Sequence, residues 1–252
     1  IKDYQNNLSC LNLILSIDPL NTEALNNKSV LLVTIGKFQE ALDCFLKIDE
    51  LNVNGNNKNL MSDISACYIF LGDIANAKYF NNLAGKGIGT EYNNGIIQLI
   101  LGNYHKGWKG YESGIHNKAR VLRDGHEKFD ELPEWKPGIH FDSVALIGEQ
   151  GIGDEIMYST IIGCLLKKVK NIYYFCDPRL IEVLKNRFPT INFLFKEKEY
   201  NIKKFQAKLA IGSLPRYFRG SEEDFSKVNL PNCNKNHKKP SRLKFPKHKK
   251  LI

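Results

Sequence analysis

The sequence predicts an α + α/β protein, with stacked helix pairs in its first half and a parallel β-sheet flanked by helices in its second half. Two observations predict this fold class. A Gly-x-x-x-x-Ala pattern recurs in the first half at about the length of one helix pair, and short apolar runs alternate with helical segments in the second half. Repeated helix pairs stack into a solenoid, whereas alternating strands and helices form βαβ units.

The repeated pattern occurs at Gly36–Ala41 and at Gly72–Ala77, which begin 36 residues apart. A weaker third copy begins 30 residues later, at Gly102–Trp108. Glycine permits a tight turn between two antiparallel helices, and the small alanine lets those helices approach closely. Each copy therefore predicts one helix–turn–helix unit.

The boundary between the first two helices is marked by a proline and a capping residue. Pro19 ends one helix, and Asn21 or Thr22 caps the next. One helix pair cannot bury its apolar face alone, so the pairs are expected to stack over residues 1–115. In its period and pattern this segment resembles the tetratricopeptide repeat family. The resemblance implies either a helical spacer that positions a neighbouring domain or a groove that binds a protein partner.

Residues 116–140 are interpreted as a linker and docking segment between the two halves. Pro133 and Pro137 prevent a helix from continuing through it. Trp108 and Trp135 are the two tryptophans of the chain; Trp108 lies shortly before this segment and Trp135 lies within it. We expect both indole rings to cover apolar edges where the halves meet.

The sequence pattern of the second half, residues 141–234, predicts four buried strands that alternate with helices. A helix over residues 155–166 follows the first strand, and Pro178 suits the first turn of the next helix. Ligands of such sheets bind at the loops after the carboxyl ends of the strands, here the loop Gly148–Asp154 and the loop that begins at Gly212. The predicted strands are Phe141–Ile147, Asn171–Cys176, Ile191–Phe195 and Ala207–Ile211.

The loop Gly148–Asp154 is neither a dinucleotide fingerprint, whose glycine spacing differs, nor a P-loop, which ends in Gly-Lys-Ser or Gly-Lys-Thr. Gly151 and Gly153 allow the backbone to approach a ligand closely. Asp154 lies at or near the start of the following helix. Its position is compatible with simple helix capping or with a general base, and the spacing alone leaves both interpretations open.

Together, several motifs resemble a bacterial family in which tetratricopeptide repeats are fused to a glycosyltransferase domain similar to lipopolysaccharide heptosyltransferases. The Glu-Gln-Gly-x-Gly-Asp element is the most specific of these motifs. The matching segments are Trp108 with Tyr111 and Glu112, Pro133–Trp135, Gly148–Ile156 and Gly212–Arg216.

This resemblance implies a GT-B architecture, in which two Rossmann-like domains face each other across a cleft. Residues 141–234 would form the domain that binds a sugar or glycan acceptor, and a second domain would bind the nucleotide-sugar donor. Asp154 matches the catalytic base of the family. The implied chemistry is inverting sugar transfer without a metal or a further cofactor. The expected substrate-binding residues are Gln150, Gly151, Gly153, Ser213 and Arg216.

The donor-binding domain is expected to be missing from this sequence, because residues 235–252 are interpreted as a basic inter-domain linker and the start of that domain. Half a cleft cannot hold donor and acceptor together, so this fragment is expected to be inactive by itself. The alternative hypothesis is a non-enzymatic adaptor, whose helices bind a protein partner and whose α/β half is a vestigial platform.

The charge distribution argues against nucleic-acid binding. The chain carries a net charge of +9, but residues 1–115 contain nine Lys and Arg against eleven Asp and Glu. Eight cations lie between Lys235 and Lys250, without any acidic residue. The high pI therefore reflects one lysine-rich segment, interpreted as a solvated linker, rather than a basic surface.

The six cysteines form no Cys-x-x-Cys pair and have no close histidine partner, so no metal site is expected. Most of them lie in apolar runs, which predicts reduced, buried thiols and a cytoplasmic location. The sequence contains no stretch of about twenty apolar residues, so no membrane span is predicted.

Overall fold

The computed structural model describes residues 3–51, 57–149, 151–196 and 198–226. The first part of the chain is helical, and the second part holds a four-stranded parallel sheet among further helices. The predicted α + α/β class is therefore confirmed at this level. No helix in the described ranges is long and apolar enough to cross a membrane. The predicted basic segment at 235–252 lies outside these ranges.

The first part consists of helices that pack pairwise, α2 with α3, α4 with α5 and α6 with α7. A glycine with positive φ makes the turn in each pair: +79° at Gly36, +80° at Gly72 and +76° at Gly102. This left-handed region suits glycine because it has no Cβ. The helices are α1 (Tyr4–Ile17), α2 (Thr22–Thr34), α3 (Phe38–Leu51), α4 (Lys58–Leu71), α5 (Ile74–Ala84), α6 (Ile88–Ile100) and α7 (Tyr104–Tyr111).

Side-chain caps begin several of these helices. The Asn21 side chain accepts a hydrogen bond of 2.9 Å from the backbone N–H of Ala24, so the predicted cap of α2 is confirmed. Asp73 caps α5 in the same way. Ala41 and Ala77, the alanines of the first two repeats, are completely buried, which fits the close helix contact that their size allows.

Helices α6 and α7 pack through glycines instead. A Cβ on Gly95 would collide with the backbone nitrogen of Tyr111. Gly107 stands where the first two copies have alanine, and a Cβ there would lie 2.6 Å from the Leu99 side chain. The third repeat departs from the pattern because its two helices approach more closely than an alanine permits.

Replacing Gly110 by alanine is therefore expected to lower the free energy of unfolding by about 1–3 kcal/mol, the usual cost of overpacking. The new Cβ would lie 2.7 Å from the Gly95 Cα. Urea denaturation measures the effect. Gly163→Ala is the matched control, because a Cβ on that helical glycine would meet no atom within 4 Å. The control is expected to be stabilised by up to about 1 kcal/mol, and equal losses in both variants would contradict the prediction.

The second part is built on strands β1 (Ser143–Ile147), β2 (Asn171–Phe175), β3 (Asn192–Phe193) and β4 (Ala207–Ala210). Their order in the sheet is β3-β2-β1-β4, and every pairing is parallel. All four predicted strands are present, each shorter than its apolar run. All five residues of β1 are buried, as expected of a central parallel strand covered on both faces.

The remaining helices are α8 (Ile152–Ser159), α9 (Ile162–Leu166), α10 (Ile181–Arg187), α11 (Leu214–Phe218) and α12 (Glu223–Ser226). The prediction of a single helix over residues 155–166 is wrong, because this stretch contains two separate helices, α8 and α9. The Ser159 hydroxyl donates to the Ile156 carbonyl, and the Thr160 hydroxyl donates to the Met157 carbonyl. Such local bonds compete with the helical pattern and favour a break.

The segment between the two parts packs on both of them. The Trp135 backbone N–H donates to the Lys208 carbonyl at 2.8 Å, which extends the β4 edge of the sheet. The Trp135 indole is 2 % exposed and packs against Tyr217 and Phe218 of α11. The Trp135 ring therefore covers an apolar surface within the second part, whereas Trp108 of α7 packs against the core around the sheet and so covers an apolar edge where the halves meet.

Candidate functional site

The candidate site lies at the carboxyl edge of the parallel sheet, between β1 and β4. The winding of the sheet reverses at β1, which has β2 on one side and β4 on the other. In open α/β sheets this switch point forms the crevice where ligands bind. The loop Gly148–Asp154 follows β1 and the segment 211–213 follows β4, so both predicted loops flank the switch point.

Asp154 lies in the first turn of α8 and is exposed. The N-cap of this helix is Gly151, which has no side chain to accept a capping hydrogen bond. Among the described residues, no hydrogen bond or ion pair of the Asp154 carboxylate is observed. The capping interpretation is therefore not supported by a hydrogen bond, and the carboxylate remains accessible at the start of the helix.

The glycines of the loop leave room for that carboxylate. A Cβ on Gly151 would collide with the Asp154 carboxylate oxygen, whereas a Cβ on Gly153 would meet no atom within 4 Å. Both glycines are exposed. Gln150, the other residue predicted for this pocket, lies outside the described residues.

A buried ion pair joins the loop to the segment between the two halves. Arg120 Nη2 lies 2.6 Å from Glu149 Oε1, and both side chains are almost fully buried. The same carboxylate oxygen accepts a hydrogen bond from the Gly212 backbone N–H at 3.1 Å. Glycine is required at 212, because a Cβ there would collide with Glu149. The pair therefore ties the loop after β1 to the loop after β4.

A second glutamate extends this cluster to the helical part. Glu112 Oε1 lies 3.7 Å from Arg120 Nη1 and accepts a 2.6 Å hydrogen bond from the Ser213 hydroxyl. Burial alone would lower the pKa of Arg120, but Glu149 and Glu112 outweigh it and the pKa is raised. Ser213 is 1 % exposed. Its hydroxyl is thus engaged inside the cluster, and a direct substrate contact needs that hydrogen bond to open.

Arg123, which is partly buried, makes a second ion pair, with the fully buried Glu155 of α8. Arg123 Nε donates to Glu155 Oε1 at 2.8 Å, while the Tyr174 hydroxyl donates to the other carboxylate oxygen at 3.0 Å. Burial raises the pKa of Glu155, although the Arg123 contacts oppose that rise. Arg123 also lies 3.4 Å from Asp177, whose pKa is held well below its usual range by hydrogen bonds from Arg179. These contacts fix α8, and hence Asp154, against the ends of β1 and β2.

Three tyrosines connect the sheet edge to the helices. The Tyr158 hydroxyl donates to the Tyr111 hydroxyl at 2.8 Å, and the Tyr111 ring lies 5.5 Å from the Tyr92 ring. Burial, together with the nearby Tyr111, Glu149 and Asp154, raises the pKa of Tyr92 to about 12. All three phenols are therefore neutral hydrogen-bonding groups at physiological pH.

The structure brings together Asp154, Gly151, Gly153 and Ser213 around the switch point. Arg216 is half-buried on α11, with its guanidinium 5.6 Å from the Tyr217 ring centre, and no described acid pairs with it.

Sequence reasoning missed Arg120 and Arg123, which were placed in a linker. One signal could have revealed them. The first 119 residues contain lysines and no arginine, and the first two arginines then occur three residues apart. Arginine is favoured over lysine for buried ion pairs because its planar guanidinium makes several directed hydrogen bonds.

A groove of about 390 Å³ lies between α4 and α6 and is bounded by residues 117 and 119 of the connecting segment. Its walls are mainly apolar, from Ile69, Phe70 and Ile96, and Tyr92 forms part of the wall. Asp63 is its charged lining residue. The apolar surroundings raise the pKa of Asp63 to about 6, although its side chain retains contact with solvent.

Asp63→Asn is expected to stabilise the protein at pH 7 and to leave its stability unchanged below pH 4. The folded-state pKa lies above the unfolded value of about 3.9, so the wild-type gains stability as the pH falls through about 6. The gain in the variant stays below about 1 kcal/mol, since solvent screens a partly exposed carboxylate. Thermal melts of both proteins from pH 4 to 8 test this, with Asp43→Asn on exposed α3 surface as control. Parallel pH profiles for wild-type and Asp63→Asn would contradict it.

No protein-family model matches this chain, and no curated protein matches it. Among the described residues, no group of three His, Cys, Asp or Glu side chains is arranged to hold a metal ion.

Proposed function

We propose that this chain forms the acceptor-binding half of an inverting glycosyltransferase of GT-B architecture, preceded by tetratricopeptide-like repeats. The observation that carries the proposal is the accessible Asp154 carboxylate in the first turn of α8, beside the switch point of a parallel sheet. The strand order β3-β2-β1-β4 supports a Rossmann-like half. The Glu-Gln-Gly-x-Gly-Asp resemblance supports the reaction class.

In the proposed reaction, Asp154 acts as the general base. Its carboxylate takes the proton from an acceptor hydroxyl while that oxygen attacks the anomeric carbon of the donor sugar. The bond from that carbon to the nucleotide diphosphate breaks on the opposite face, so the configuration inverts and the diphosphate leaves with the electron pair. The donor is held by a second Rossmann-like domain, and the chemistry requires no metal in the related family.

The remaining site residues would shape and support the acceptor pocket. Gly151 and Gly153 are exposed next to Asp154, which suits close approach of a sugar to the backbone. Gln150 and Arg216 are proposed to add hydrogen bonds, and Ser213 does so only when its bond to Glu112 opens. Glu155 and Arg123 hold the helix that carries the base.

A second candidate function is that of an adaptor, in which the helices bind a protein partner. The groove between α4 and α6 supports it, because apolar walls and one carboxylate suit an extended peptide with a basic residue. In this case the sheet acts as a platform. If the chain is instead part of a transferase, the helices would serve as a spacer.

A transfer assay tests the proposed function. The full-length gene product that contains this chain is incubated with a panel of nucleotide-sugars and glycan acceptors, with EDTA present. We expect release of the nucleotide diphosphate to depend on both substrates. NMR of the product is expected to show the inverted anomeric configuration. Retention of configuration would contradict the inverting mechanism. Partner binding without transfer to any acceptor would favour the adaptor instead.

A further inference from the structure

Arg219, at the end of α11, is a buried cation without an acidic partner among the described residues. The residue is 3 % exposed, and no carboxylate oxygen of the described chain lies within 4.0 Å of it. The other buried arginine, Arg120, pairs with two glutamates. A buried charge without compensation is costly, so its remaining contacts indicate what it is arranged to stabilise.

Those contacts point to the thiol of Cys164. Arg219 Nη1 donates to the Phe218 carbonyl at 2.6 Å and lies 3.8 Å from Cys164 Sγ. Arg219 Nη2 is buried and has no hydrogen-bond partner in the described chain. The guanidinium carbon lies 5.8 Å from the Phe225 ring centre, which supplies a further wall. The cation therefore faces a sulfur atom and keeps an unused donor beside it.

Cys164 differs from the other described cysteines in having an arginine within hydrogen-bonding range of its sulfur. Burial raises the pKa of Cys67 and of Cys176 to about 12, and it also raises the pKa of Cys44. Those three thiols are protonated and unreactive at neutral pH. Cys10 is exposed on α1 and has no arginine beside it. Cys164 is only partly buried.

We propose that Cys164 is a site of oxidation by hydroperoxides, with Arg219 stabilising the negative charge on the attacking sulfur. The ionised sulfur attacks one peroxide oxygen, so that an S–O bond forms and the O–O bond breaks. With hydrogen peroxide the leaving group is hydroxide, which takes up a proton to become water. An alkyl hydroperoxide releases an alkoxide, which becomes the alcohol. The sulfur is oxidised by two electrons to a sulfenic acid, and the peroxide is reduced by two. This inference does not rest on the proposed transferase function.

The modification would occur where the two parts of the chain meet. Helix α9, which carries Cys164, contacts α11, and α11 also contacts α7 of the helical part. The unused Arg219 Nη2 can donate to an oxygen added at the sulfur. The sulfenic acid is thereby held in place rather than exposed to immediate further oxidation.

Mass spectrometry of the peroxide-treated chain tests the proposal. The full chain is exposed to hydrogen peroxide in the presence of dimedone, which traps sulfenic acids, and the labelling rate is measured at each cysteine-containing peptide. Cys164 is expected to be labelled about tenfold faster than Cys10, because Arg219 Nη1 lies 3.8 Å from its sulfur and stabilises negative charge there during the attack. Labelling at Cys164 that is no faster than at Cys10 would overturn the proposal.

Two variants of Arg219 separate the effect of its charge from a structural role. Arg219→Met is expected to lower the Cys164 rate about tenfold and to leave the Cys10 rate unchanged, whereas Arg219→Lys keeps most of the rate because the charge remains. If Arg219→Met does not fold, the Cys164 to Cys10 ratio in the unaltered chain and in Arg219→Lys decides. Equal Cys164 rates in folded Arg219→Met and the unaltered chain would overturn the proposal.

Discussion

Replacing Asp154 by asparagine in the full-length protein is expected to lower the turnover of the proposed transferase by about 10²–10⁴-fold, the usual contribution of a general base. The amide cannot accept the proton of the acceptor hydroxyl. The free energy of unfolding is expected to fall by no more than about 1 kcal/mol, the size of one helix-dipole interaction, because the exposed carboxylate makes no described hydrogen bond that the substitution would remove. Steady-state kinetics and a thermal melt of the same preparation measure the two quantities.

Glu182→Gln is the matched control for this experiment. Glu182 also lies in the first turn of a helix that follows a strand, and it is exposed. A change there removes one helix-dipole interaction and no proposed catalytic group, so turnover should stay within about twofold of the unaltered enzyme. Loss of turnover below tenfold in Asp154→Asn would show that Asp154 is not the base, even if transfer itself is observed.

Removing the charge of Arg120 is expected to cost about 3–5 kcal/mol of unfolding free energy, because a buried glutamate then loses its partner. In Arg120→Met the Glu149 carboxylate, 4 % exposed, keeps only its bond from Gly212. Glu112 loses the same cation. Urea denaturation at pH 7 measures the loss, and the double variant Arg120→Met with Glu149→Gln should recover part of it.

An exposed arginine provides the comparison. Arg179 pairs with Asp177, but its side chain is 73 % exposed, so Arg179→Met is expected to cost less than about 1 kcal/mol. If Arg120→Met were no more destabilising than Arg179→Met, the buried cluster would not be what joins the loop after β1 to the helical part. A double variant no more stable than Arg120→Met would lead to the same conclusion.

Much of the fold follows from local sequence signals. The turn glycines at Gly36 and Gly72, the cap at Asn21 and the apolar runs of the strands are short-range features that act within one or two turns of chain. They predicted helix pairs and a parallel sheet correctly. The helix over residues 155–166 was predicted wrongly, because the Ser159 and Thr160 hydroxyls bond to nearby carbonyls and the apolar pattern does not reveal that competition.

The candidate site was predictable only in part. A glycine-rich loop after a buried strand indicates a ligand-binding edge, and this predicted Asp154, Gly151 and Gly153 as candidate site residues; their role stays a prediction. The two buried arginine pairs were not predictable, because their partners are distant in sequence: Arg120 is 29 residues from Glu149, and Arg123 is 32 residues from Glu155. No local pattern specifies such a pairing.

By itself, the sequence determined the α + α/β class, the helix–turn–helix repeats, the parallel strands and the loop that carries Asp154. Periodicity, caps and turn glycines act over short distances, so they can be recognised in a single chain. Only the tertiary structure decided that the segment expected to be a linker supplies Arg120 and Arg123 to the sheet edge. Burial of those charges depends on which distant glutamates face them, and that is fixed only when the helices and the sheet pack together.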